Sequence, residues 1–240
     1  MPDTKLVRGF LPSSSGLHFP NSWPKDTPAL VVPTPLGHLR FGDASRGLCG
    51  GMVLTAADLW TAGRPPPART EAPPAGSREL NFLTRRLLDS WDLPGGAFRY
   101  YECMNLPDAD SSSRTGVWRR TAELLPSICA ELDADRVCPL GVVTVKSWRP
   151  TDLGKNHQVL AYGYSREQDG QDDMVLNVYD PNQPDVDSVI IRCDTTAQRA
   201  PEGQLDIPHP VRGVFPIRWS PHDPSGLLAD DQESGRPPDG

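Results

Sequence analysis

Residues 156–164 read Asn156-His157-Gln158-Val159-Leu160-Ala161-Tyr162-Gly163-Tyr164, and their reading decides the second half of the chain. A β-branched, leucine and aromatic run behind a polar start indicates a strand, and period-two alternation puts His157, Val159, Ala161 and Gly163 on one face. A second run, residues 175–179, follows the Asp169-Gly170 breaker and stops at Asp180-Pro181-Asn182. If the two runs pair as a hairpin, the end of the second returns to the start of the first, which brings Asp180 beside His157. Three further segments, 140–145, 188–191 and 211–219, read as strands by the same criteria.

The first half has a different period. Met52, Val53, Ala56, Leu59 and Trp60 fall on one face of a helix, stopped by Gly63 and the prolines from Pro65 to Pro67. Residues 63–76 are a Pro-rich connector. Ser77 is placed to cap a second helix with the stripe Leu80, Leu83, Leu87, Leu88 and Trp91, ended by the residues at 93–96. A third helix is expected over 114–133, carrying Val117, Trp118, Leu124, Leu125, Ile128 and Leu132, with a kink or split at Pro126. The first ~45 residues form an arm of turns with one short strand-like run at 29–32. Helices first and adjacent strands afterwards is the order of an α+β protein rather than an alternating α/β one. Residues 1–219 are expected to form a single domain that includes the 63–76 loop, and residues 220–240 a disordered acidic tail.

The composition narrows the function. The 240 residues carry a net charge of −7, which disfavours nucleic acid as a partner because phosphate contacts need clustered Lys and Arg. No apolar stretch reaches the ~18 residues of a membrane-spanning helix. The 27 prolines and 21 glycines predict a loop-rich fold. Five irregularly spaced cysteines without a C-x-x-C pair offer neither a zinc site nor a disulfide framework. No phosphate-cradling loop, dinucleotide fingerprint or serine elbow is present, so no cofactor is expected. The N-terminus lacks the apolar region of a secretory signal, giving a cytoplasmic expectation.

Cys49 is the residue with chemical promise. It follows Gly42 and Gly47 and stands where the first helix begins. A helix N-terminus presents partial positive charge and unpaired N–H groups, which favour a thiolate and can bind an oxyanion. Gly50 and Gly51 leave room for a substrate backbone. A small buried cysteine packing a helix start is the bland alternative. His157, at a strand end next to a loop, is the candidate base; His18, His38, His209 and His222 lack a comparable setting. Asp180 is placed to orient the imidazole, with Asn182 as runner-up, although Asp-Pro-Asn is also an ordinary turn. Asp108 with Asp110, and Asp172 with Asp173, read as solvated turns. Tyr100 and Tyr101 are candidates to line a cleft, and Trp91, Trp118 and Trp148 read as core or sheet-edge packing.

The order of a cysteine at a helix start, helices, a Pro-containing strand (Val137-Cys138-Pro139-Leu140-Gly141-Val142), a His-led strand (His157 to Tyr164) and a strand running into Asp180-Pro181 resembles papain-like cysteine enzymes. Residues 133–181 look more narrowly like the bacterial peptidases that remove double-glycine leaders, and their relatives. The resemblance spans Cys49 to Asp180 and implies a papain-like fold, a helical half packed against a mostly antiparallel sheet. It further implies a triad of Cys49, His157 and Asp180. The family's usual Gln, about six residues before the cysteine, is replaced by Asp43, so Asn21 and Ser45 become the candidates for the oxyanion donor. The expected function is a cysteine-dependent hydrolase cleaving an amide, peptide or thioester bond through a covalent acyl-enzyme. An acyltransferase on the same triad, and a catalytically inactive papain-like scaffold that binds a peptide or protein, are the rivals. Neither substrate identity nor oligomeric state is specified by these residues.

Overall fold

The central helix of the fold begins at the cysteine singled out above. The structure, a computed structural model, describes residues 4–34, 37–91, 95–166, 173–196 and 199–228. Its strands are β1 (Thr4–Leu6), β2 (Leu30–Thr34), β3 (Gly37–Phe41), β4 (Cys138–Val143), β5 (His157–Arg166), β6 (Asp173–Tyr179), β7 (Ile190–Asp194), β8 (Glu202–Gly203) and β9 (Gly213–Pro216). Its helices are α1 (Pro12–Ser15), α2 (Cys49–Thr61), α3 (Arg78–Ser90), α4 (Gly95–Asn105), α5 (Val117–Asp133) and α6 (Ser225–Leu228). This is an α+β arrangement of helices against an antiparallel sheet.

The sheet runs in the order β8-β7-β6-β5-β4-β9. Strand β5 is its spine. One edge pairs with β6, with Leu160 opposite Tyr179 and a register shift between Ala161 and Gly163. The other edge pairs with β4 from His157 to Ala161, and β1 takes over from Gly163 to Ser165. The expected hairpin of β5 and β6 is therefore formed, and it sets the end of β6 next to the start of β5.

Every residue of α2 from Gly50 to Leu59 is buried, the signature of a helix enclosed on all sides. Val53, Leu54, Ala56 and Ala57 join a core with the sheet and with Leu125, Ile128 and Leu132 of α5. Met52 and Leu59 face a second core made by Leu17, Phe19 and Trp23 of the N-terminal arm with Leu80 and Leu83 of α3. A Cβ on Gly51 would lie 2.0 Å from the Leu83 carbonyl oxygen, so only glycine allows this crossing of α2 and α3. Ser77 caps α3 as expected, its hydroxyl accepting the Leu80 N–H at 3.1 Å.

Several expectations need correction. Helix α5 runs through Pro126 as one element instead of splitting, its apolar face held by Leu125, Ile128, Cys129 and Leu132. Buried packing along that face offsets the single backbone bond that proline removes. A helix, α4, stands where only the Tyr100-Tyr101 pair had drawn notice. Trp148 is 70% exposed rather than packed in the core. The tail does not begin at residue 220. Ser220 and His222 are bound to a buried ion pair between Asp58 and Arg86: Arg86 Nη2 donates to the Ser220 carbonyl and the His222 N–H donates to Asp58 Oδ1. Leu227 is buried beside α3, and residues 229–240 lie outside the described residues. Among the described residues, no helix is long and apolar enough to cross a membrane.

Candidate active site

The approach to Cys49 is a short stack of turns. A 3₁₀ turn, Ala44–Arg46, is capped by Asp43, whose carboxylate accepts the Ser45 N–H at 3.0 Å. Gly47 then takes φ +87°, a conformation glycine adopts without steric cost. The Leu48 N–H, immediately before the helix, donates to Asn21 Oδ1 at 2.6 Å. This places Cys49 at the first position of α2, where the terminal N–H groups lack intrahelical acceptors. Cys49 is partly exposed, whereas Cys103, Cys129, Cys138 and Cys193 are buried, and all five are free thiols. Burial pushes the thiols of Cys103 and Cys129 up to about 11 and those of Cys138 and Cys193 up to about 12.

His157 opens β5, and its ring lines the same cleft as Cys49. Nε2 lies 2.7 Å from Asp180 Oδ1. Burial alone would lower the imidazole pKa. The interactions with the Cys49 side chain and the Asp180 carboxylate outweigh burial and push it up to about 10.

Asp180 is fully buried, and burial raises a carboxyl pKa. It is nevertheless held below its ordinary value, because four donors converge on it. They are His157 Nε2, the Asn182 N–H, the Gln183 side-chain amide and the Asp206 N–H. Asn182, the runner-up for orienting the imidazole, does not touch His157. Its N–H steadies Asp180, and its side chain bridges Asn21 and the Asp206 carbonyl.

These groups face a cleft of about 880 Å³, lined among others by Asn21, Cys49, Trp91, Tyr100, His157 and Ile207. Ser45 is also on its wall, and Asp43 is spent on capping the turn. Asn21 is brought close to the turn that leads into Cys49: a Cβ on Gly47 would lie 2.9 Å from its Nδ2. Tyr100 is buried on the cleft floor, its hydroxyl donating to the His157 carbonyl oxygen at 2.9 Å. The sequence placed Tyr100 at a cleft but gave no sign of this bond. Gln183 and Asp206 were missed altogether. Gln183 sits within the turn after Asp180, while Asp206 acts through its backbone, which leaves no trace in residue type.

The arrangement can deliver a nucleophilic thiol, an adjacent proton carrier and a buried carboxylate that holds the carrier. Among the described residues, no group of His, Cys, Asp and Glu is assembled to hold a metal ion. Compared with known proteins, the chain matches no family model, no curated sequence and no solved structure.

Proposed function

We propose that this chain is a papain-like cysteine-dependent hydrolase that opens an amide, peptide or thioester bond through an acyl-enzyme on Cys49. One observation carries the reading: a buried imidazole held by Asp180 through Nε2 lines the same cleft as a partly exposed cysteine at a helix start. A core cysteine would need neither the exposure nor the paired ring.

The steps follow from these positions. The Cys49 sulfur attacks the carbonyl carbon, and negative charge moves to the carbonyl oxygen. The Cys49 N–H at the start of α2 and the Asn21 amide are the donors assigned to that oxygen. His157 gives its proton to the departing amine or thiol as the tetrahedral species collapses. Water, losing a proton to His157, then releases the acid and restores the thiol. Asp180 keeps the ring oriented and stabilises its cationic form.

The test is burst kinetics with S-phenyl thioacetate, following thiophenol release. One equivalent per chain is expected in a fast phase, followed by slower turnover, with both phases absent in Cys49→Ala. Added amine that captures the acetyl group faster than water does would assign a transferase rather than a hydrolase. Equal release by wild type and Cys49→Ala would end the proposal.

A further inference from the structure

The side chains of Asn21 and Asn182 form a chain of carboxamides between two backbone groups. At one end the Leu48 N–H, next to the nucleophile, donates to Asn21 Oδ1 at 2.6 Å. Asn21 Nδ2 donates to Asn182 Oδ1 at 3.1 Å, and Asn182 Nδ2 donates to the Asp206 carbonyl at 2.7 Å. Carboxamide orientation is normally ambiguous, since oxygen and nitrogen are alike in shape. Here both ends are fixed by groups of one polarity. A backbone N–H can only donate, so Asn21 must turn its oxygen to Leu48. A backbone C=O can only accept, so Asn182 must turn its nitrogen to Asp206. The contact between the two amides then has one permitted sense.

The consequence falls on the second N–H of Asn21. Its oxygen is held by Leu48 and one N–H by Asn182, and among the described residues no acceptor takes the other N–H. Asn21 lines the cleft with Cys49 and His157. The residue whose carbonyl ends the chain also donates its own N–H to Asp180 Oδ2, so the relay and the imidazole's orienting carboxylate share Asp206 as an anchor.

We infer that Asn182 is a positioning residue: with the Asp206 carbonyl behind it, it locks the Asn21 carboxamide so that the free N–H is available to the oxyanion formed at Cys49. Asn182 acts through Asn21 and does not touch the reacting atoms. The inference rests on the acyl-enzyme reading proposed above. It accounts for an asparagine side chain that binds neither the imidazole nor the sulfur, yet spans the two walls of the site.

A double-mutant cycle on the rate of single-turnover acetylation by S-phenyl thioacetate tests it. In this step the Cys49 sulfur gains the acetyl carbon and thiophenolate departs, so an oxyanion must form. Asn21→Ala is expected to slow acetylation by about 10²-fold, the usual cost of one oxyanion donor. Asn182→Ala should cost about tenfold in the presence of Asn21 and no more than about twofold in its absence, because coupled residues are non-additive. Asn182→Asp keeps an acceptor for Asn21 but loses the donor to the Asp206 carbonyl, so it should recover only part of the loss. Alkylation of Cys49 by iodoacetamide passes through no oxyanion and should be nearly unchanged in Asn182→Ala. Equal factors for Asn182→Ala in both backgrounds, or equal slowing of alkylation and acetylation, would overturn the relay. An Asn182→Ala chain that does not fold leaves the Asn182→Asp variant to decide, and acetylation no faster than in Asn21→Ala would overturn it. A wild-type chain that takes no acetyl group at Cys49 would remove the acyl-enzyme reading itself, a different failure.

Discussion

At the residue scale, the five cysteines separate into one group of four and one of one. A thiol with a pKa of about 11 is ionised to only about 10⁻⁴ at pH 7, and the thiolate is the reactive form. Cys103, Cys129, Cys138 and Cys193 are therefore expected to be inert in the folded protein, while Cys49, partly exposed at a helix start and sharing a cleft with His157, is expected to react. Iodoacetamide at pH 6 with peptide mapping should label Cys49 first, and equal labelling of any buried cysteine would contradict the site. Asp180 calls for care in choosing a variant. Alanine there would strand the Asn182, Gln183 and Asp206 donors, each at a cost of about 1–3 kcal/mol, so the fold would suffer with the chemistry. Asp180→Asn keeps the volume and removes the charge that supports the imidazolium. It should lower the His157 pKa by about 1–3 units, the worth of an opposite charge at this range, as read by an NMR titration of the ring. An unchanged titration would return Asp180 to the status of a turn residue.

The same pair makes a statement about stability. The folded pKa of His157 lies above its ordinary value of 6.5, at about 10. The contribution of its charged form is thus complete below about pH 6.5 and is lost as pH rises towards 10. Asp180, held below its ordinary value, contributes above about pH 4 and loses this as pH falls through its folded pKa. Urea unfolding of wild type and His157→Gln should show a gap that is widest near pH 5–6 and narrows by pH 10. A gap that widened with pH would show that the ring is neutral in the fold.

At the scale of elements, the site depends on where α2 starts and on what it crosses. Gly51→Ala pushes a methyl group onto the Leu83 carbonyl, backbone that cannot swing aside. The variant should lose about 1–3 kcal/mol or more and shift the start of α2, slowing Cys49 as well. Thermal melting together with Cys49 alkylation checks both parts, and a melting temperature equal to wild type would mean the crossing is looser than described. Strands β4, β5, β6, β7 and β9 and the Ser77 cap were legible because their signals are local: alternation, β-branched residues and a hydroxyl before an apolar stripe; β1, β3 and β8 were not. The placement of Asp180 beside His157 was legible for a related reason, since a hairpin turns sequence order into proximity. Helix α4 was not. Gly95-Gly96 reads as a breaker, and the packing of Tyr100 against Phe215, with ring centroids 4.7 Å apart, involves a residue far along the chain. Pro126 misled in the opposite direction, because a local penalty was outweighed by the buried face of α5.

At the scale of the whole molecule, the N-terminal arm reaches the site and the segment after β9 braces the helices behind it. The N-terminal arm delivers Asn21 to the cysteine turn, tied on the way by Ser13 to Asp187 and by the Asn21 N–H to the Pro181 carbonyl. The segment after β9 returns to α2 and α3, where Ser220 and His222 satisfy the buried Asp58–Arg86 pair. Neither path was legible beforehand, since runs of Pro, Gly and Ser specify turns but not what they cover. The central claim nonetheless concerns three side chains from distant parts of the chain. It is tested most directly by the mapped mass of the protein quenched in acid shortly after mixing with S-phenyl thioacetate. The account predicts one acetyl group, on the Cys49 peptide, in wild type and little or none in His157→Gln. An acetyl group elsewhere, or equal acetylation of Cys49 without the imidazole, would contradict it.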